Sequence, residues 1–252
     1  IIDVTGPAPI EHRGRVPVVV GSGTNDTAQS ARYARAAADA GADALLVVSP
    51  YYNKPTQEGY FRHFGGVAEA TDLPIVVYNV PARTVTDILP ETLARLARLP
   101  GVVGVKDASG AIARVTAHRL ACGTDFCQLS GNDDMALAFN AVGGVGAISV
   151  TANVAPRLCA EFQAACRDGD IARAQTLNDR LFPLHVALFA DASPGPTKYA
   201  LTRVFEDVTE ELRLPMTPCS DAARAAVDAA LERLEGSASL IAKPMQMPIL
   251  DV

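Results

Sequence analysis

The sequence predicts an α/β fold built around a parallel sheet, and three observations predict it. Six short β-rich runs recur along the first 150 residues. Helical stretches rich in Ala, Leu and Arg lie between most of them, and strands alternating with helices imply parallel pairing. The strands are nearly all apolar, as expected when both faces of a sheet are covered.

The elements follow in chain order. Residues 1–15 read as a linker with at most a helix remnant. "VPVVVG" (16–21) is the first strand. "TAQSARYARAAADAGA" is a helix with Gly41 as its C-cap. "ALLVVS" (44–49) is the second strand and runs into the proline-bounded loop "SPYYNKP". "IVVYN" (75–79) is the third, followed by "LPETLARLARLPG", a helix with Pro90 in its first turn. "VVGVK" (102–106), "CQLSG" (127–131) and "GAISV" (146–150) complete the set, and Asp107, Ser109 and Gly110 read as a loop. After 150 the pattern becomes helical, ending in "DAARAAVDAALERLEG" (221–236) with Ser220 as its cap. Residues 237–252 lose periodicity and read as a loose tail. The expected organisation is therefore a barrel portion over 1–150, a helical region over 151–236 and a tail over 237–252.

Strand ends fall near residues 20, 48, 78, 106, 130 and 149. The first four strand ends are spaced by about 28 residues, close to what eight units in ~250 residues give a TIM barrel. Six strands do not close an eight-stranded barrel, so the expectation is a (β/α)8 barrel lacking its first two βα units, with a C-terminal helical extension.

Composition narrows the function. The 252 residues carry a net charge of −6, which disfavours a nucleic-acid partner. Apolar residues make up 49% and charged residues 20%, ordinary for a soluble enzyme. No apolar run approaches the ~18 residues of a membrane helix, and no secretory signal is visible. The five cysteines form no Cys-x-x-Cys pair, and the four histidines sit in no metal motif. The expectation is a cytoplasmic protein with reduced thiols and no metal.

In a parallel barrel the C-terminal strand ends carry the active site. Lys106 ends an apolar strand, and Tyr78 ends the strand before it. An apolar surrounding disfavours the ammonium form and lowers a lysine pKa. The free amine can then attack a ketone and form a Schiff base. Position alone fits equally a strand-end lysine that snorkels to solvent. Tyr78 moves the balance, because imine formation needs a proton shuttled through the carbinolamine and a tyrosine can serve. Arg83 could hold a carboxylate with two parallel bonds, or simply pair at the surface. In "SGNDD" (130–134), Asp133 or Asp134 reads better as a helix N-cap than as part of an acid/base pair. The glycines of "GGVGAIS" precede a strand instead of following one, so a dinucleotide loop is rejected.

"SPYYNKPTQEG", "YNVPART", "GVKDASG", "LSGNDD", "GAISVTANVAP" and "LRLPMTPCS" together resemble the dihydrodipicolinate synthase family. That family belongs to the pyruvate-dependent class I aldolases, with N-acetylneuraminate lyase. Arg83 after "YNVPA" and the double Tyr of "PYYNKP" favour the synthase side. The resemblance implies a lyase that condenses pyruvate with L-aspartate 4-semialdehyde in lysine and diaminopimelate biosynthesis. It implies an imine on Lys106, proton relay by Tyr78, and a relay completed by Tyr52 from a neighbouring subunit. It implies that Arg83 binds the aldehyde's carboxylate, and that Gly131 and the Ile148 carbonyl line the pyruvate pocket. Neither metal nor organic cofactor is implied, and the expected assembly is a homo-oligomer, a dimer or tetramer.

The chain also departs from the family pattern. It lacks the Gly-Thr-Thr-Gly-Glu loop that holds the pyruvate carboxylate, and Val85 stands where the family usually has Gly. Without that loop, Lys106 is expected to form imines slowly, and the open sheet edges to invite pairing with other chains. Asn25 and Tyr51 match the family's lysine-feedback cleft, but Gln29 replaces the usual Glu, so feedback is expected to be weak. The rival readings are another pyruvate or 2-keto acid lyase on the same scaffold, and a truncated non-catalytic paralogue.

Overall fold

The computed structural model describes residues 16–235. The expected linker over 1–15 and tail over 237–252 lie outside the described residues. The chain divides between Ile148 and Ser149 into two compact units.

The first unit holds a six-stranded sheet of β1 (Val19–Gly21), β2 (Ala44–Val48), β3 (Ile75–Asn79), β4 (Val102–Asp107), β5 (Cys127–Ser130) and β6 (Gly146–Ala147). The strands lie side by side in chain order, and every pair is parallel. Parallel neighbours need crossovers, and helices supply them. These are α1 (Thr27–Asp39), α2 (Gln57–Ala68), the short α3 (Pro81–Thr84) with α4 (Pro90–Leu96), α5 (Ala113–Cys122) and α6 (Ala136–Ala141). The helix-covered face of the sheet is the core: Val20, Leu45, Val47, Ile75, Val77 and Val105 pack with Ala34, Ala37, Tyr60, Phe64 and Leu96.

Local signals place these elements. The Asp26 carboxylate accepts from the Gln29 backbone N–H at 2.6 Å and starts α1. The residue expected to cap its end, Gly41, lies one position further. Ala40 is the cap and stays right-handed, and Gly41 follows at φ 87, which a side chain would resist. Thr56 caps α2 by accepting from Gly59 N–H at 3.1 Å. α4 begins with Pro90, where a missing N–H costs nothing.

The second unit is helical: α7 (Pro156–Arg167), α8 (Ile171–Ala187), α9 (Gly195–Val204) and α10 (Asp221–Glu235). Leu177, Leu181, Leu184 and Leu188 are buried, as are Val227, Leu231 and Leu234 of α10. The Ser220 hydroxyl accepts from Ala223 N–H at 3.3 Å and caps α10 as the sequence predicts. Arg224 grips Glu210 through both Nη atoms, at 3.1 and 2.7 Å, and stacks 4.8 Å from the Tyr199 ring centre.

Candidate active site

The strand register sets the site. Tyr78 of β3 lies opposite Lys106 of β4, and Asn79 lies opposite Asp107. Successive side chains point to opposite faces, so Tyr78 and Lys106 share one face while Asn79 and Asp107 share the helix-covered one. β4 runs one residue further than the sequence suggests, since Asp107 is its last member and not the start of a loop.

The Lys106 Nζ stands 4.1 Å from the centre of the Tyr78 ring. Burial pushes the Lys106 pKa down to about 8, against the opposing field of the Asp133 carboxylate. The ring face also favours the ammonium and so works in the same direction as Asp133. With a pKa near 8, roughly a tenth of the side chain is the free amine at pH 7, where an ordinary lysine offers less than about one part in a thousand. Burial raises the Tyr78 phenol, and the Arg83 guanidinium opposes the rise. The pair is therefore a nucleophilic amine beside a phenol that keeps its proton at neutral pH.

Behind this pair lies a polar cluster on the other face. Asn79 Nδ2 donates to Asp87 Oδ1 at 2.8 Å and to Asp107 Oδ2 at 3.4 Å, and Asn79 Oδ1 accepts from Ile88 N–H at 3.1 Å. Asp107 Oδ1 accepts from Ser109 N–H at 2.8 Å and from the Ser109 hydroxyl. Arg114 of α5 donates to both carboxylate oxygens of Asp87, to Ile88 O at 3.3 Å, and approaches Asp107 Oδ2 at 4.0 Å. Asn79 and Asp107 are buried. Such groups are tolerated there because they are paired.

The remaining site candidates scatter around this centre. Gly131 donates its N–H to Asp107 O at 2.7 Å, and a Cβ there would lie 2.6 Å from the Ala108 Cβ, so only glycine lets the two strand ends approach. Ile148 N–H donates to Ser130 O at 3.0 Å and carries the chain onward from β6. Arg83 is exposed on α3, and Val85 just after it has φ 68, a left-handed conformation costly for a β-branched residue. That backbone angle gives a physical reason for glycine at this position.

Tyr52 is 85% exposed at a loop tip with φ 72, and Tyr51 beside it is 43% exposed. Asn53 Nδ2 donates to Asn25 O at 2.8 Å and ties this loop to the one after β1. Gln29 Oε1 accepts from Arg32 Nη2. The chain thus brings Lys106 and Tyr78 into contact, with Gly131 against the end of β4, and leaves Tyr52 facing outward.

Asp133 and Asp134, the candidates for a helix N-cap, are the first two residues of a short 3₁₀ turn, Asp133–Met135, just before α6. Asn132 precedes that turn in an extended conformation, and its own side chain makes no capping hydrogen bond. Asp133 is buried, and its charge bears on Lys106. Sequence reasoning missed that role, along with Asp87, Asp107 and Arg114. One signal was present: Asp-x-Ser at 107–109 is the spacing of an Asx-turn, in which the carboxylate accepts from the N–H two residues on.

Among the described residues, no group of three or more His, Cys, Asp or Glu is placed to hold a metal ion, and no helix is long and apolar enough to cross a membrane.

Comparison with known proteins gives a consistent answer. Residues 3–234 match the model of the dihydrodipicolinate synthetase family. The 4-hydroxy-tetrahydrodipicolinate synthase of Rhizorhabdus wittichii is 66% identical over 219 residues, 87% of this chain and 75% of that protein. Among solved structures, the chloride-inhibited dihydrodipicolinate synthase from Acinetobacter baumannii complexed with pyruvate superposes with a TM-score of 0.86 at 40% identity, covering 89% of this chain and 77% of that one. The enzyme from Cyanidioschyzon merolae with lysine bound gives 0.84 at 33% identity, covering 87% and 74%.

Proposed function

The chain belongs to the dihydrodipicolinate synthetase family, and from that premise we propose how it acts: as a lyase that condenses pyruvate with L-aspartate 4-semialdehyde through an imine on Lys106. The observation that carries the imine is the half-buried Lys106 amine, lowered to about pKa 8 and set against the Tyr78 ring.

The free amine attacks the pyruvate ketone and gives a carbinolamine. Tyr78 passes a proton to the leaving hydroxyl, water departs, and a protonated imine remains. The imine draws electrons from the methyl carbon, which loses a proton to become an enamine. That carbon attacks the aldehyde, whose oxygen takes up a proton and stays as a hydroxyl. The aldehyde substrate's own amine then attacks the imine carbon, closes the ring and frees Lys106. The lysine is the electron sink throughout, so the proposed chemistry calls for neither metal nor organic cofactor.

The other roles follow from position. Arg83 binds the aldehyde's carboxylate, and its exposure leaves the guanidinium free to do so. Gly131 and the Ile148 carbonyl line the pyruvate side. Tyr52, with its outward-facing ring, joins the relay of a second copy, which makes the working form a homo-oligomer, a dimer or tetramer, in the cytoplasm. The six strands are read as consecutive units of an eight-stranded barrel, a reading supported by five parallel pairs in unbroken chain order.

The test is a substrate comparison on the purified full-length protein. Pyruvate with L-aspartate 4-semialdehyde should give turnover, while pyruvate with N-acetylmannosamine should give none. The reverse preference would assign the chain to the rival lyases.

A further inference from the structure

We propose that Arg114 is a positioning residue for both substrates: through Asp87 it holds the segment that follows Arg83, and through Asp107 it holds the strand end that carries Lys106. The inference rests on the imine reading above.

The geometry has one side chain bonded to one part of the site and within ion-pair distance of another. Arg114 binds both oxygens of Asp87 and the carbonyl of Ile88, and so fixes the stretch beginning four residues after Arg83. Asn79, next to Tyr78, grips the same stretch at Asp87 Oδ1 and Ile88 N–H. Thr84 Oγ1 stiffens the link by donating to Thr86 O at 2.9 Å. The same guanidinium lies 4.0 Å from Asp107, the residue after Lys106, and Asp107 is held further by Ser109.

The groups that Arg114 and Asn79 hold sit close in sequence to site residues: Asp107 follows Lys106 on the opposite face of β4, and Asp87 lies four residues after Arg83. Alternation turns any slip of Asp107 into a movement of the Lys106 amine. Reactions of this kind are sensitive to such movements, and a misplacement of about 1 Å costs up to ~10²-fold. The guanidinium is suited to the position because its planar fork reaches several acceptors at once, which a lysine ammonium cannot match.

The experiment compares wild type with Arg114→Lys, Arg114→Ala and the surface control Arg167→Ala. It measures KM for each substrate, kcat, the rate at which pyruvate and borohydride label Lys106, and the denaturation midpoint. Arg114→Lys is expected to raise the aldehyde KM about tenfold and slow labelling severalfold, while its midpoint stays near wild type. Millimolar guanidinium should restore part of the activity of Arg114→Ala, a recovery that general loss of fold would not give. If Arg114→Ala fails to fold, Arg114→Lys carries the test alone. Wild-type KM values and labelling rate in Arg114→Lys would overturn the role of Arg114 while leaving the imine intact. A wild-type protein that takes no label at Lys106 would overturn both.

Discussion

Two faces of the same two strands have opposite designs. On one, Tyr78 and Lys106 stand opposite each other with the cation against a ring face and its pKa lowered to about 8. On the other, one residue along, Asn79 and Asp107 are buried in hydrogen bonds to Asp87, Ile88 and Ser109. The first face leaves a charged group poorly solvated, which is why it is the face proposed to react. The second satisfies its polar groups and is therefore rigid. A reactive amine needs both, because an unstable charge is useful only where the backbone beneath it does not move.

Substitutions should separate the two faces. Tyr78→Phe removes only the hydroxyl, so kcat should fall about 10²–10⁴-fold while stability moves by less than about 0.5 kcal/mol. Steady-state rates and a urea curve on the same sample check this. A large drop in stability would mean that the phenol belongs to the structural face after all.

Asp107→Ala should behave in the opposite way. It leaves the Ser109 N–H and one Asn79 donor without their acceptor, and should cost about 1–3 kcal/mol of unfolding free energy, read from the denaturant midpoint. An unchanged midpoint would show that water replaces the carboxylate without loss.

Val85→Gly probes the loop between the faces. It relieves a left-handed valine, worth roughly 1–2 kcal/mol, but gives the unfolded chain more freedom, so the net gain should be below about 1 kcal/mol. A destabilised Val85→Gly would place the strain elsewhere.

The smallest expected effect is that of added lysine. Gln29 offers a neutral amide, and Arg32 occupies its oxygen with a like charge for the ligand's ammonium. Losing a charge-assisted bond weakens binding by about 1.5–3 kcal/mol, so calorimetry should show weak or absent binding. Tight binding would contradict the reading of Asn25, Gln29 and Tyr51.

The reactive face was more legible in the sequence than the rigid one. All six strands could be read because apolar runs bounded by loops carry a strong signal, and Lys106 stood out as a charge at the end of one. Tyr78 followed from lying one unit earlier. The rigid face depends on contacts that the sequence does not announce: Arg114, in the first turn of α5, binds Asp87 27 residues earlier and approaches Asp107 at 4.0 Å. No spacing rule links them. Asp133 reads as a helix cap because acids are common at helix starts, and nothing in the sequence announces that its buried charge bears on Lys106. α2 was not singled out because "QEGYFRHFGGVA" carries three glycines and three aromatics, and its helicity comes from packing Tyr60, Phe64 and Val67 into the core.

The most direct test is to trap the imine across pH. The full-length protein is incubated with pyruvate and borohydride between pH 6 and 9, and the labelled peptide is identified by mass. The adduct should lie on Lys106 alone, and its initial rate should rise about tenfold per unit of pH below 8 and level off above it, following the free amine. An adduct on Lys54 or Lys198, or a rate still climbing tenfold per unit beyond pH 9, would contradict the claim that burial at the end of β4 makes Lys106 the nucleophile.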